Sequence, residues 1–418
     1  MSPPKQMPNR TVVTSFASAS TSFGADTAFE EGHYVILTAC GPHPGTGTNA
    51  KSPLSCALSN QSVLTYDRES LKKIHSIDKA HNKPITDLTH TQIGPSGDSV
   101  ESPLLVTSGE DGLVKIFDLR VNSSSSHGVS PILQLGLAKG EEALSVSVGY
   151  NGALAAVGGG KGYIHFFDLR NVSSSASNIN MPLGSYVDAH TEEVTKVRFQ
   201  KLSQDSHETT PLLVSASEDG LACIFDTSQP SEEMALKSVM NIQAPLRDVG
   251  FFGPSLEGLY CLTGSETMSV WHHDSAQRIC DFGDVRDHLS ATAGLPIQYL
   301  VGCMWDGHAS ELNLLAGNTE GECAMFKVDA GAISVKRILS GGHKGCIRSF
   351  VPSALNDSII TGGEDSRLCE WNMNQVEAGS EQARVETAAY SFSSETKKPK
   401  SGGGVIRRQK KTKGHAPY

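Results

Sequence analysis

The sequence has little of several features that mark common protein classes. Only 3 of its 418 residues are Trp, aromatic residues make up 6% and charged residues 19%. No apolar run approaches the roughly 18 residues needed to cross a bilayer, so no membrane-spanning helix is predicted. The 9 cysteines are scattered and form no C-x-x-C pair, which argues against a disulfide framework or a zinc site. We expect no metal, no cofactor, and thiols that serve as small core residues in a reducing compartment.

The chain is rich in glycine, with 41 residues, and one short sequence pattern is repeated along its length. Residues 105–120 read LVTSGEDGLVKIFDLR, an apolar run, a Gly-Glu-Asp-Gly turn and a second apolar run, which predicts a strand hairpin. Seven copies end in an aromatic residue: Tyr66, Phe117, Phe167, Phe225, Trp271, Phe326 and Trp371. Their spacing fits one propeller blade of about 40–45 residues plus loop insertions. The pattern predicts an all-β, seven-bladed propeller of four-stranded antiparallel blades.

The repeats resemble the WD-repeat family, and the resemblance covers residues 30–375. The Gly-His element that opens such repeats stands at Gly342-His343 and is relaxed to Ala-His at Ala80-His81 and Ala189-His190. Repeats three, five and six lack it. The Trp-Asp ending of the family survives in part, as Phe-Asp, Tyr-Asp, Trp-His or Trp-Asn.

The resemblance implies a stabilising tetrad in the seventh repeat. Its members would be His343, Thr361, Asp365 and Trp371, linked by hydrogen bonds from indole to hydroxyl to imidazole to carboxylate. Partial sets stand in repeat two (His81, Thr107, Asp111) and in repeat four (His190, Ser215, Asp219). Such sets imitate catalytic triads, but their recurrence at fixed spacing favours a structural role. We predict no catalytic residue.

The chain divides into a polar leader, residues 1–31, the propeller, residues 32–375, and a tail, residues 376–418, that we expect to be disordered. Repeat seven has no evident fourth strand after Asn372. The β-branched stretch Arg10 to Phe16 is predicted to close the last blade and so to hide its edge. The stretch 284–296 is interpreted as a long loop on one face.

Two acidic pairs occupy the same position in successive repeats. Glu141-Glu142 precedes the inner strand of repeat three, and Glu192-Glu193 precedes that of repeat four, 51 residues on. In the family these loops lie on the narrower face, so four carboxylates would form a partner-binding acidic face. Such a face would suit a basic protein such as a histone tail or a ribosomal protein. The alternative is a set of solvated loop charges.

The net charge of −10 conceals a basic tail. Residues 395–418 carry eight Lys or Arg against one Glu, net +7, which leaves −17 for the rest of the chain. A nuclear localisation signal is predicted at Arg407, Arg408, Lys410, Lys411 and Lys413. The alternatives are a solubilising tail and a cytoplasmic protein. We expect neither specific nucleic-acid readout nor membrane binding.

Two copies of Phe-Asp-x-Arg follow in successive repeats. They place Asp118 with Arg120 and Asp168 with Arg170. Residues 105–120 are similar to the sixteen-residue box of WD-repeat substrate receptors of cullin–RING ubiquitin ligases, in which the Arg docks the adaptor subunit. The second copy departs from the box, with Lys161 where Asp is expected.

The sequence therefore predicts a non-enzymatic scaffold, a monomeric propeller within a complex, that binds other proteins. The alternative is a substrate receptor that docks a cullin–RING adaptor through the Asp-x-Arg motifs. An enzyme is the competing class, and it would show ionisable side chains with shifted pKa values converging on the central channel.

Overall fold

The computed structural model describes the backbone of residues 10–18 and then residues 33–41, 53–68, 72–91, 104–119, 129–170, 179–201, 209–352 and 358–373. These residues form seven four-stranded antiparallel blades, so the predicted all-β propeller is confirmed. The first strands of successive blades contact one another around the whole ring, the seventh against the first. They therefore line the axis.

The strands follow the repeats. Blade 1 contains β2 (Val35–Cys40), β3 (Pro53–Leu58), β4 (Val63–Asp67) and β5 (Lys73–Ile77); blade 2 contains β6 (Ile85–Thr91), β7 (Leu104–Gly109), β8 (Leu113–Asp118) and β9 (Leu133–Gly136). Blade 3 contains β10 (Ala143–Gly149), β11 (Leu154–Gly159), β12 (Ile164–Asp168) and β14 (Gly184–Tyr186), and β13 (Ile179–Asn180) joins blade 2; blade 4 contains β15 (Val194–Lys201), β16 (Thr209–Ser217), β17 (Leu221–Asp226) and β18 (Leu236–Asn241). Blade 5 contains β19 (Leu246–Phe252), β20 (Gly258–Thr263), β21 (Thr267–His272) and β22 (Gln277–Asp284); blade 6 contains β23 (Tyr299–Asp306), β24 (Glu311–Gly317), β25 (Cys323–Asp329) and β26 (Ala332–Ser340). Blade 7 contains β27 (Ile347–Pro352), β28 (Ser358–Gly363) and β29 (Arg367–Asn372), completed by β1 (Arg10–Ser18).

Blade stacking explains why the second strands are continuous apolar runs. Every described residue of β3, β7, β20 and β28 is buried, because a neighbouring blade covers each face of the sheet. The outer strand β18 instead alternates between exposed and buried residues, as expected for a strand with one solvated face. The core thus lies between blades, in seven apolar clusters.

The N-terminal strand closes the ring. β1 pairs antiparallel with β29, with Val13 opposite Trp371, and its first residues pair parallel with β26, with Arg10 opposite Ile338. Residues 10–18 therefore serve as the fourth strand of blade 7 and also attach that blade to blade 6. This double pairing covers two strand edges that would otherwise expose unpaired N–H and C=O groups.

All seven inner strands share one irregularity near their start. In six of them the register shifts between the first and third residues, as between Ile85 and Asp87 or Ala143 and Ser145. In β23 it shifts between the second and fourth, Leu300 and Gly302. A bulge of this kind twists the strand and redirects a side chain. It therefore fixes which inner-strand residues meet between neighbouring blades.

The stretch 284–296 is not a loop, as the sequence was interpreted. It contains the helix α2 (Arg286–Ala293), which ends at Gly294 in the left-handed region with φ of 70°. Leu289 and Ala293, four residues apart, bury one face against blade 6, which is the spacing that an amphipathic helix requires. A second helix, α1 (Glu232–Ala235), is a single turn before β18.

Candidate interaction surfaces

The four side chains of the seventh repeat form one hydrogen-bonded chain. The Trp371 indole donates to Thr361 Oγ1 at 2.7 Å, Thr361 Oγ1 lies 2.8 Å from His343 Nε2, and His343 Nδ1 lies 2.9 Å from Asp365 Oδ1. The carboxylate only accepts, so His343 donates from Nδ1 and accepts the threonine hydroxyl at Nε2. Each polar atom of the chain is satisfied inside the protein, which is the condition for burying it.

Blades 2 and 4 contain the shorter version of this chain. His81 links Thr107 at 2.7 Å to Asp111 at 2.9 Å, and His190 links Ser215 at 2.7 Å to Asp219 at 3.1 Å. Thr107 and Ser215 are completely buried, so no substrate reaches either hydroxyl. Both sets are structural.

Blade 3 has a different chain, in which Glu141 replaces the histidine. Its Oε1 lies 2.9 Å from His165 Nε2, and His165 Nδ1 lies 2.7 Å from Ser185 Oγ. A Cβ on Gly159 would meet Glu141 Oε1 at 2.3 Å, just as one on Gly109 would meet the His81 ring at 2.6 Å. The same glycine position thus makes room for either side chain.

Glu141 is therefore not part of an exposed acidic face. It is 3% exposed, and the expectation that it contacts a partner is wrong. The sequence contained the signal: Gly140-Glu141 occupies the place of the Gly-His element, and Lys161, with Nζ 4.0 Å from Glu141 Oε2, stands at the place of the turn aspartate. A carboxylate thus stands at the histidine position and an ammonium group at the aspartate position, so Lys161 opposes the buried charge of Glu141.

The remaining predicted carboxylates do meet at one end of the strands. Glu192 and Glu193 are exposed, Glu142 is partly exposed, and Glu218 in the turn of blade 4 joins them. The N–H of Glu218 donates to the Glu193 carbonyl at 3.0 Å, which holds the turn against the inner strand. We call these four residues the acidic rim.

One member of the acidic rim, Glu193, has a shifted pKa. Burial, and then the carboxylates of Glu218, Glu142 and Glu192, raise the pKa of Glu193 above its ordinary value. Like charges at short range disfavour the ionised form. Within the described residues, Glu142 is paired with Lys83 at 3.3 Å, whereas no ion pair to Glu192, Glu193 or Glu218 is formed.

The two Asp-x-Arg motifs differ in presentation. Arg170 holds Asp168 in a bidentate pair, with Nε at 2.9 Å and Nη2 at 2.7 Å, and its side chain is 70% exposed. Asp118 is buried, and Arg120 lies outside the described residues. The structure therefore describes the Asp–Arg contact of the second motif alone. The basic cluster at residues 407–413 also lies outside the described residues.

A further polar cluster, which the sequence reasoning missed, joins the inner strands of three blades. Asp87 Oδ2 accepts from Ser145 Oγ at 2.7 Å and from Arg198 Nη1 at 3.0 Å, and Lys196 Nζ lies 3.5 Å away. The N–H of Val197 also donates to Ser145 Oγ at 3.1 Å. We call Asp87, Ser145, Lys196 and Arg198 the central cluster.

The charges of the central cluster support an ion-pair role. Burial would raise the pKa of Asp87, but Arg198 and Lys196 outweigh it and hold this pKa well below its ordinary value. Burial likewise opposes the charge of Arg198, yet Asp87 and Asp248 raise its pKa. Both shifts move the groups away from neutral pH, where a general acid or base must titrate. Ionisable side chains do converge here, and burial lowers the pKa of the third, Lys196. Asp87 and Arg198 are held in their charged forms.

The described residues include all nine cysteines. No two of them form a disulfide, and five are buried. Among the residues that the structure describes, no helix is long and apolar enough to cross a membrane, and no group of His, Cys, Asp and Glu has the arrangement of a metal site.

The chain is similar to known proteins that contain WD repeats. The family described as WD domain, G-beta repeat matches residues 71–118, which span the last strand of blade 1 and the first three strands of blade 2. The WD repeat-containing protein 89 homolog of Dictyostelium discoideum is 27% identical over 322 residues, covering 77% of this chain and 80% of that protein.

Two further relatives are also named as WD repeat-containing proteins. WD repeat-containing protein GTS1 of Arabidopsis thaliana is 26% identical over 371 residues, covering 86% of this chain and 84% of that protein. An uncharacterized WD repeat-containing protein of Saccharomyces cerevisiae is 28% identical over 247 residues, 57% of this chain and 56% of its own. The similarity to the first two spans most of the ring.

Proposed function

We propose that this seven-bladed propeller, whose residues 71–118 match the WD-repeat family, is a non-enzymatic scaffold whose acidic rim binds a basic segment of another protein. WD-repeat propellers in general bind other proteins, through rigid faces made of loops. A histone tail or a ribosomal protein has the required chemistry. The observation that carries the proposal is that Glu142, Glu192, Glu193 and Glu218 meet at one end of the strands, three of them exposed and without an ion pair among the described residues. Burial, and then the other three carboxylates, raise the pKa of Glu193.

The physical argument is that crowded carboxylates store unfavourable free energy in the unbound protein. Lysine or arginine side chains of a partner would relieve this repulsion and gain attraction at once. The rigid link from Glu218 N–H to the Glu193 carbonyl, 3.0 Å long, keeps the carboxylates together without a partner. The charge is therefore organised in advance of binding, which lowers the ordering cost.

The test uses a fluorescein-labelled dodecalysine peptide and measures its anisotropy against the full chain at several salt concentrations. The double variant Glu192→Gln, Glu193→Gln should bind more weakly, and its affinity should depend less on salt. Glu320→Gln, an exposed carboxylate in the turn of blade 6, is the matched control and should match the wild type. Equal affinities for the wild type and the double variant would sink the proposal.

The raised pKa of Glu193 adds a dependence on pH. Glu193 takes up a proton at a higher pH than an ordinary glutamate, so peptide affinity should begin to fall while other carboxylates are still ionised. In the Glu193→Gln variant this early fall should disappear. An identical pH profile in both proteins would contradict the assignment.

A nuclear location is part of the proposal and rests on the sequence of the tail. Replacement of Arg407, Arg408, Lys410, Lys411 and Lys413 by alanine in a fluorescent fusion of the full chain should move the protein from nucleus to cytoplasm. An unchanged distribution would contradict it.

A cullin–RING substrate receptor is the second candidate, favoured by one observation. Asp168 fixes the exposed guanidinium of Arg170 in a bidentate pair, which presents a rigid cation at the end of β12. Affinity purification of the wild type and of Arg170→Ala tests this candidate. Recovery of a cullin adaptor with the wild type alone would support it, and its absence from both would end it.

A further inference from the structure

The exposed apolar side chains are concentrated on one side of the ring. Among the described residues, seven of the ten exposed large hydrophobic side chains lie between 179 and 239: Ile179, Met181, Leu183, Val187, Met234, Leu236 and Val239. Exposed apolar residues that are scattered singly need no explanation, but a concentration of them marks an interaction surface. Met181 and Leu183 are the most exposed of all, at 66% and 68%.

These side chains are brought together by a segment that crosses between blades. β13 pairs parallel with β9 of blade 2, through Ile179 opposite Gln134, and β14 then pairs with β12 of blade 3. The N–H of Leu183 donates to the Phe166 carbonyl at 2.7 Å. Residues 179–187 therefore bridge the outer edges of two blades, and Met181 lies between the two pairings.

The single-turn helix α1 extends the same surface. The carboxylate of Glu232 accepts hydrogen bonds from the N–H groups of Val187 at 2.7 Å and Asp188 at 3.0 Å. This contact holds α1, with the exposed Met234, against the end of the bridging segment. We call Ile179, Met181, Leu183, Val187 and Met234 the apolar strip.

One residue of the apolar strip and one of the acidic rim line the same cavity, which has a volume of about 350 Å³. Ile179 and Glu142 are these two residues, and Leu113, Leu137 and Lys83 line it with them. Ile179 closes over Gly136, where a Cβ would meet Ile179 Cγ2 at 2.4 Å. The volume is at the lower end of that of binding pockets, enough for one or two apolar side chains of a peptide.

We infer that the apolar strip, this cavity and the acidic rim form one continuous docking surface for an extended partner segment in which apolar residues adjoin a run of Lys or Arg. Its basic half rests on the proposed function. Charge complementarity selects the occupant: the rim supplies three carboxylates without an ion partner among the described residues, and the strip adjoins the exposed Asp188. A second copy of this chain fits poorly, since a two-fold contact would bring two acidic rims together.

The experiment begins with a phage-displayed library of random 16-residue peptides, selected on the full chain at physiological salt. The best peptides are then synthesised with a fluorescent label and titrated by anisotropy. Met181→Ser, Leu183→Ser is the test variant. Ile279→Ser, an exposed apolar residue on blade 5, is the matched control, and thermal unfolding verifies that each variant is folded.

Selected peptides should combine two or more large apolar residues with several Lys or Arg. The double serine variant should weaken their binding at least about tenfold, as expected for central apolar contacts, and leave the salt dependence unchanged. Glu192→Gln, Glu193→Gln should instead reduce the salt dependence. Ile279→Ser should behave as the wild type.

The remaining outcomes overturn the inference in distinguishable ways. Purely basic peptides that the double serine variant binds as well as the wild type would refute the joint surface and leave the proposed function standing. Apolar peptides whose binding needs Met181 and Leu183 but is unaffected by Glu192→Gln, Glu193→Gln would refute both the joint surface and the proposed function. Failure to select any peptide, or a dimer in sedimentation that the serine variant dissociates, would also refute the inference.

Discussion

The central cluster gives the sharpest prediction about stability. Asp87 of β6 is the shared anion for Lys196 and Arg198, which lie on β15, the inner strand two blades away. Removing one partner of a buried ion pair costs about 3–5 kcal/mol, because the other charge stays buried without compensation. The Arg198 side chain is 33% exposed, so water screens part of the loss. We expect Asp87→Asn to lower the free energy of unfolding by about 3 kcal/mol at pH 7.

The effect should depend on pH in one direction. The pKa of Asp87 lies below that of an unfolded aspartate, which is about 3.9. Its carboxylate therefore stabilises the fold above that value, and the contribution is lost as the pH falls toward the folded-state pKa. The gap between wild type and Asp87→Asn should stay constant from pH 7 to about 5 and narrow below about 4.

Urea titration followed by tryptophan fluorescence measures the free energy of unfolding of each variant, and repeating it at several pH values measures the pH dependence. Asp329→Asn is the control, since that carboxylate pairs with Lys327 at the surface, 3.5 Å away and 54% exposed, and should matter little. The double variant Asp87→Asn, Arg198→Met should lose less than the sum of the two single variants. The reasoning is refuted if Asp87→Asn is no worse than Asp329→Asn, or if the gap persists unchanged to pH 3.

Three further predictions concern the chain's own contacts. Trp371→Phe should cost about 1–2 kcal/mol in a urea titration and clearly less in a Thr361→Val background, and equal costs would mean that the indole hydrogen bond contributes nothing. Glu141→Gln should lower stability by about 1–3 kcal/mol yet leave dodecalysine affinity unchanged in anisotropy; a loss of affinity as large as that of Glu193→Gln would place Glu141 on the surface. Deletion of residues 1–18 should uncover the edges of β26 and β29 and produce oligomers in size-exclusion chromatography, whereas an unchanged monomer would show that β1 is dispensable.

Local patterns account for the parts of the molecule that the sequence predicted well. Each blade repeats an apolar run, a turn with Gly or Asp, and a strand that ends in an aromatic residue, and these signals act over a few residues. The seventh-blade chain from Trp371 to Asp365 was predicted from the resemblance of that repeat to the WD-repeat family. The helix α2 was missed because a single turn-to-turn pair, Leu289 and Ala293, is a weak signal beside the surrounding strand pattern.

The surfaces could be predicted only in part. Glu141 and Glu142 are neighbours with the same side chain, yet one is buried against His165 and the other lies on the rim. Composition and charge do not separate them. The alignment of Gly140-Glu141 with the Gly-His element of other blades separates the two glutamates. At that position the side chain packs against a glycine of the second strand, Gly159 in blade 3 and Gly109 in blade 2.

The sequence by itself determined that the chain is a seven-bladed propeller, and its resemblance to the WD-repeat family implied which four residues link the strands of the last blade. The first property depends on periodicity and the second on contacts within a single repeat. Only the tertiary structure decided that Asp87 meets Arg198, 111 residues further along the chain, and that Ile179 of the apolar strip and Glu142 of the acidic rim line the same cavity. Such contacts form between blades, and closing the ring is what brings the strands of different repeats to the same place.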